Sequence, residues 1–280
     1  MLRCAAFLLL VCAALAAAPA SAQLPTAPVL HVSLLAEGDS IAPGREFWVA
    51  VRFHMEKGWH IYWTNPGDSG EPPRVQWRLP AGFQAGELQW PHPERLVTKY
   101  STDYGYADEM LLLAPIRPPA GLAPGAKAEL AATVQWVVCR EVCIPGKTEV
   151  TLSLPVKLGA APHSSPLFAD ARRRLPQPAP AQWRARAWSE KNEFVLSVET
   201  GQRAARAEFF PLEALQIENS APQRAGAMPR GVRLRLKKSE HLLKPIANLK
   251  GVIVFPSGKS YVIEAPVTGA GNRASRQKPN

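Results

Sequence analysis

Cysteine is scarce, with four in a chain of 280 residues. That excludes a small fold stapled by many bridges, and the chain is long enough to bury ordinary cores without them. Helical periodicity is scarce too, which excludes a helical bundle. After the first 22 positions no apolar run approaches the roughly 20 residues a membrane helix needs. Glycine-rich phosphate loops, zinc signatures and nucleophile elbows are missing, so nothing supports nucleotide or hydrolase chemistry. The adjacent carboxylates Asp108 and Glu109 read as a solvated loop. No internal repeat stands out.

The exception to the apolar scarcity is the N-terminus. Arg3 precedes the apolar run Ala5 to Ala17, and Ala20-Ser21-Ala22 supplies a small-x-small site before Gln23. This is the pattern of a secretory signal peptide cleaved after Ala22, and it predicts an exported, periplasmic protein. A lipid-attachment site at Cys12 is disfavoured by the bulk of Val11. Cleavage removes Cys4 and Cys12, leaving Cys139 and Cys143 in a compartment where disulfides persist.

Charge is uneven around a net +10. Residues 23–160 carry 12 Lys and Arg against 14 Asp and Glu, and residues 161–280 carry 20 against 9. The basic half reads as a solvated face with a basic tail. Export and the lack of a nucleic-acid motif argue against a nucleic-acid partner.

What the sequence has in quantity is short alternating apolar runs separated by Gly and Pro turns, the pattern of an all-β sandwich. Strands are expected at Leu30–Ala36, Glu46–Met55, Trp59–Trp63, Val75–Leu79, Glu87–Trp90, Met110–Ile116, Ala128–Val138 and Glu149–Leu158. Phe47, Val49, Val51, Phe53 and Met55 should share one face. The span 161–182, rich in Pro and Arg, reads as a linker with a helical turn or two at its centre. A second small β domain, 183–268, should hold strands at Trp183–Trp188, Glu193–Glu199, Ala207–Pro211, Val232–Lys237 and a hairpin around Ser257-Gly258-Lys259. The tail 269–280 is expected to be disordered.

In the stretch Trp136-Val137-Val138-Cys139-Arg140-Glu141-Val142-Cys143-Ile144-Pro145-Gly146 an apolar strand runs straight into a cysteine, with a second after three residues. A tight turn can bring such cysteines within bridging distance. As a staple the bridge would be weak, worth about 2 kcal/mol against nearly 5 for a 100-residue loop. A local bridge in a domain with an ample core suits a redox switch better, although spacing alone leaves both roles open. Arg140 and Lys147 are the nearest cations available to a thiolate. Trp136, Trp59, His60, Tyr62, Trp63, Tyr104 and Tyr106 are candidates to shield the sulfurs.

Three ordered motifs carry a resemblance: Gly58-Trp59-His60-Ile61-Tyr62-Trp63-Thr64-Asn65-Pro66-Gly67-Asp68-Ser69-Gly70, then Tyr104-Gly105-Tyr106, then Trp136 to Pro145 with its two cysteines. Together they resemble the N-terminal periplasmic domain of DsbD-type thiol:disulfide interchange proteins, nearest to the ScsB-like subgroup tied to copper tolerance. The resemblance implies an immunoglobulin-like sandwich that takes electrons from a separate membrane protein and passes them to thioredoxin-like periplasmic proteins. It gives the exchange to Cys139 and Cys143. It also implies a cap loop at Tyr100 to Glu109, tipped by Tyr104 or Tyr106, with Tyr62 and His60 lining the site. The membrane helices and C-terminal thioredoxin-like domain of full-length DsbD have no counterpart in this sequence. No cofactor is expected under this reading. An alternative uses Cys139, Cys143 and His60 to bind Cu(I), since paired thiolates suit that ion. A third possibility is a binding module with an inert bridge.

Overall fold

The computed structural model describes residues 29–159 and 165–269. The expected signal peptide with its cleavage after Ala22, residue 160, residues 161–164 of the linker and residues 270–280 of the tail lie outside the described residues.

The first half comprises β1 Leu30–Ala36, β2 Phe47–Met55, β3 His60–Gly67, β4 Arg74–Arg78, β5 Gln84–Ala85, β6 Glu94–Val97, β7 Thr102–Ala107, β8 Glu109–Arg117, β9 Lys127–Cys139 and β10 Cys143–Pro155. Helix α1, Pro166–Arg173, leads to β11 Gln177–Pro178, β12 Arg184–Ser189, β13 Glu193–Glu199, β14 Glu208–Pro211, β15 Arg224–Met228, β16 Gly231–Lys237, β17 Asn248–Val254 and β18 Ser260–Gly269. The described residues are therefore all-β apart from one short helix.

Two sheets form an immunoglobulin-like sandwich in the first half. One has the order β1-β2-β8-β5; the other runs β10-β9-β3-β7-β6, with β4 also paired to β9. Alternation explains the packing. Val49, Val51, Phe53 and Met55 of β2 face Leu130, Ala132, Val134 and Val138 of β9 across one core. Each large apolar side chain so buried contributes about 1.5–3 kcal/mol. The second half is a single curled sheet, β14-β17-β18-β12-β13-β16-β15, around its own core of Phe194, Leu196, Leu234, Leu249 and Ile253.

The outer face of β2 and β8 is covered as well. Ala50, Leu111 and Leu113 receive Phe168 and Ala171 of α1. Pro at the start of α1 suits its first turn. Arg172 fixes the helix by pairing with Glu37 at 2.6 Å and lying over the Trp48 ring. The two halves also share apolar packing: Phe210 and Val252 belong to the first core, and the Phe210 ring meets those of Trp63 and Tyr104.

Local expectations change at several points, and β10 begins at Cys143 rather than Glu149. Glu87–Trp90 forms no strand and contributes one bridge, Gln89 to Leu113. The expected cap segment Tyr100–Glu109 is largely strand β7, hydrogen-bonded between β3 and β6. Edge strand β15, all but its last residue exposed, has no alternation to betray it.

Candidate active site

Strands β9 and β10 form an unbroken antiparallel ladder from Lys127 opposite Pro155 to Cys139 opposite Cys143. Arg140, Glu141 and Val142 make the turn, closed by a hydrogen bond from Arg140 N to Val142 O. The cysteines are therefore the last rung, bonded at an S–S distance of 2.07 Å with Cα atoms 4.2 Å apart. Pro145 is tolerated because β10 is an edge strand. The two residues differ in exposure: Cys139 is 3% exposed, whereas Cys143 is open to solvent. An incoming thiolate can reach Cys143, leaving Cys139 as the departing sulfur.

Strand β3 touches β9 at one rung, His60 opposite Cys139. His60 and, two residues on, Tyr62 therefore share the face that carries the bridge. The Tyr62 hydroxyl lies 3.8 Å from Cys143 Sγ and is the only possible donor, since a bridged sulfur has no proton. From Arg74 opposite Gln135 onward, β4 occupies the edge of β9. Between β3 and β4 residues 68–73 arch over Tyr62, and Gly70 sits on its ring. A Cβ at Gly70 would fall 2.1 Å from a ring carbon, and its φ of +79° also favours glycine.

Asp103 pins this arch. Only 1% exposed, it accepts hydrogen bonds from Ser69 N and Ser69 Oγ, both at 3.0 Å, and from Ser101 Oγ at 2.9 Å. Ser69 is held by Oδ1, while Oδ2, which accepts from Ser101, is also 3.7 Å from His60 Nε2, a buried nitrogen without a hydrogen-bond partner. Burial raises the Tyr62 pKa, with the Asp103 carboxylate adding to the rise and Ser69 opposing it. Tyr62 is thus held as a neutral hydrogen-bond donor beside the exposed sulfur.

The family described as thiol:disulfide interchange protein DsbD, N-terminal, matches residues 31–155, the span that builds this sandwich and its bridge. Residues 31–155 belong to the DsbD N-terminal domain family. No curated protein matches the chain. Among solved structures, the N-terminal periplasmic domain of ScsB from Proteus mirabilis superposes with a TM-score of 0.62 at 14% identity. It covers 88% of this chain and 96% of that one. The shared fold therefore extends through the second half. A protein of unknown function from Porphyromonas gingivalis W83 aligns over 86% of this chain and 99% of its own at 14% identity, with a TM-score of only 0.23.

Within the DsbD-type domain, the structure brings His60 and Tyr62 to the cysteines but not Tyr104, Tyr106 or Trp136. Ile61 pairs with Tyr106 and Tyr62 with Gly105, so period two turns Tyr104 and Tyr106 to the opposite face from Tyr62. Both are fully buried; Tyr104 donates to Asn219 Oδ1 at 2.8 Å and Tyr106 to Pro91 O at 2.7 Å. Burial pushes both phenols well up. Trp136 packs on the core edge and against Gly146, while Trp63 is core. The Arg140 guanidinium lies over Trp59, and Lys147 lines a cavity of about 470 Å³ with Trp136, Glu71 and Pro72. The segment over Tyr62 is 68–73, not Tyr100 to Glu109. Asp103, Ser69 and Gly70 are the contributors that pattern reading misses. The one available signal was the Gly- and Asp-rich run after Tyr62. Among the described residues no group of three or more His, Cys, Asp or Glu is placed to hold a metal. Cu(I) binding by Cys139, Cys143 and His60 would belong to the reduced form, in which the sulfurs are free.

Proposed function

We propose that this protein is a periplasmic thiol:disulfide exchange module that relays electrons through Cys139 and Cys143. The unequal exposure of the two bridged sulfurs, in a domain of the DsbD N-terminal family, carries the reading. A reduced dithiol donor, a separate membrane protein, attacks Cys143 Sγ with one thiolate. The Cys139–Cys143 bond breaks and Cys139 departs as a thiolate. The donor's second thiolate then attacks its own sulfur in the mixed disulfide, releasing Cys143 and leaving the donor oxidised. In the forward half, the Cys143 thiolate attacks the disulfide of a thioredoxin-like acceptor. Cys139 resolves the mixed bond by attacking Cys143 Sγ, so the acceptor leaves as a dithiol. Two electrons and two protons pass in each half. Tyr62 donates a hydrogen bond to the Cys143 thiolate whenever that sulfur is free.

Export with cleavage after Ala22 would place the exchange in the periplasm. No helix among the described residues is long and apolar enough to cross a membrane. In this reading the electron donor is a separate membrane protein. The test mixes the reduced protein with oxidised thioredoxin-like periplasmic proteins and follows bridge formation by alkylation and mass. Exchange much faster than with a small disulfide of matched potential supports the relay. Parity between the two would remove it.

A further inference from the structure

We propose that the second half of the chain controls how fast the Cys139–Cys143 bridge reacts, by clamping the 68–73 arch through Asn219. This rests on the exchange reading, because it concerns the regulation of the same sulfurs. Asn219 lies between β14 and β15, is buried, and uses every polar atom of its side chain across the junction. Its Nδ2 donates to Asp68 Oδ1 at 2.7 Å, while its Oδ1 accepts from the Tyr104 hydroxyl. A carboxylate only accepts, so the amide must face Asp68 with its nitrogen. Arg95 holds the Asn219 main chain in turn, donating from Nε to Asn219 O at 3.0 Å and from Nη2 to Ala221 O at 2.9 Å.

Asp68 is the first residue of the arch. Its second oxygen accepts from Thr102 N at 2.8 Å, and its own N–H donates to Thr102 O. A second anchor lies three residues earlier, where Asn65 Nδ2 donates to Pro211 O at 2.8 Å. Two residues beyond Asp68, Gly70 presses on the Tyr62 ring, whose hydroxyl stands beside Cys143 Sγ. With both anchors made, the arch cannot lift and Tyr62 keeps one side of the reactive sulfur covered. Asn219 touches neither sulfur; it is a positioning residue, and through it the second half sets access to the bridge. A partner that pulled the halves apart at this junction would uncover the side of the sulfur that Tyr62 screens and speed attack on it.

The full chain, oxidised, is reduced by excess dithiothreitol and the bridge is followed by quenching and alkylation. Asn219→Asp sets a carboxylate against Asp68, and its rate constant should rise about tenfold, the scale of one charge-assisted hydrogen bond. The double variant Asn219→Asp with Asp68→Asn exchanges amide and carboxylate at the same contact. All three hydrogen bonds can form again, and the rate should return to within about twofold of the original. The equilibrium against a glutathione buffer should be the same in all three proteins. Asn219→Asp reacting at the original rate, even with a lowered melting temperature, would show a merely structural contact and overturn the clamp. So would a double variant as fast as the single one, or a glutathione equilibrium displaced in step with the rate. Because a small dithiol is the reductant, failure to exchange with thioredoxin-like partners would count against the relay and not the clamp.

Discussion

At Cys143 an exposed sulfur and a buried phenol meet. Tyr62 is kept neutral by its burial and by the Asp103 carboxylate, so across the physiological range it keeps the proton that it donates to a bridged or ionised sulfur. A hydrogen bond to a thiolate favours the charged form and raises the fraction available for attack. Tyr62→Phe should therefore slow iodoacetamide alkylation of the reduced protein at pH 7 by about threefold, a modest share of a charged hydrogen bond. An unchanged rate would mean that the hydroxyl does not support the thiolate. The cysteine pair stands out in sequence by its spacing, and alternation puts His60 and Tyr62 on one face of a strand; that they line the site was implied only by the family resemblance, because the pairing of β3 with the end of β9 is a contact between distant segments. Asp103 could not. A buried carboxylate is unexpected until its partners Ser69 and Ser101 arrive from two separate turns.

Among the elements, α1 shows how a segment with linker composition becomes part of the structure. Only Phe168 and Ala171 are buried, too few for a helical stripe to stand out among Pro and Arg. They nevertheless close the outer face of β2 and β8, which would otherwise expose Leu111 and Leu113. Phe168→Ala should cost about 3–5 kcal/mol in urea unfolding, as a fully buried aromatic does. A loss below about 1 kcal/mol, within the range of ordinary surface changes, would mean the helix is not docked in solution. The alternation in β2, β9 and β13 could be read because one face of each is apolar throughout. Strand β7 was hidden: Thr102, Asp103 and Gly105 all occupy buried positions that apolar residues usually fill. Its polar members are satisfied by the arch and by β6, contacts that no local pattern contains.

For the whole molecule the important feature is that the halves are joined by polar as well as apolar contacts. His92 lies at one such joint, its Nδ1 2.9 Å from Arg174 O at the end of α1 and 3.4 Å from Ser260 Oγ at the start of β18. Burial is the main cause lowering its pKa; the Arg174 charge adds to this, while the Arg174 carbonyl and Glu94 oppose it. A histidine held neutral in the folded state contributes stability that is present above its unfolded pKa of about 6.5 and is lost as pH falls below it. The urea midpoint should therefore decline between pH 7.5 and 5.5, and His92→Gln should flatten that decline. A variant that keeps the full slope would place the titrating group elsewhere.

Whether Cys143 is the sulfur a partner reaches and Cys139 the one that resolves can be decided by trapping. Cys139→Ser and Cys143→Ser proteins are each incubated with a thioredoxin-like periplasmic protein whose own resolving cysteine is replaced by serine and whose remaining cysteine is activated as a mixed disulfide. The covalent complexes are then counted by intact mass. A stable adduct through Cys143 is expected in the Cys139→Ser protein and little with the Cys143→Ser protein, whose remaining sulfur is 3% exposed. Equal trapping by both, or trapping only through Cys139, would contradict that expectation.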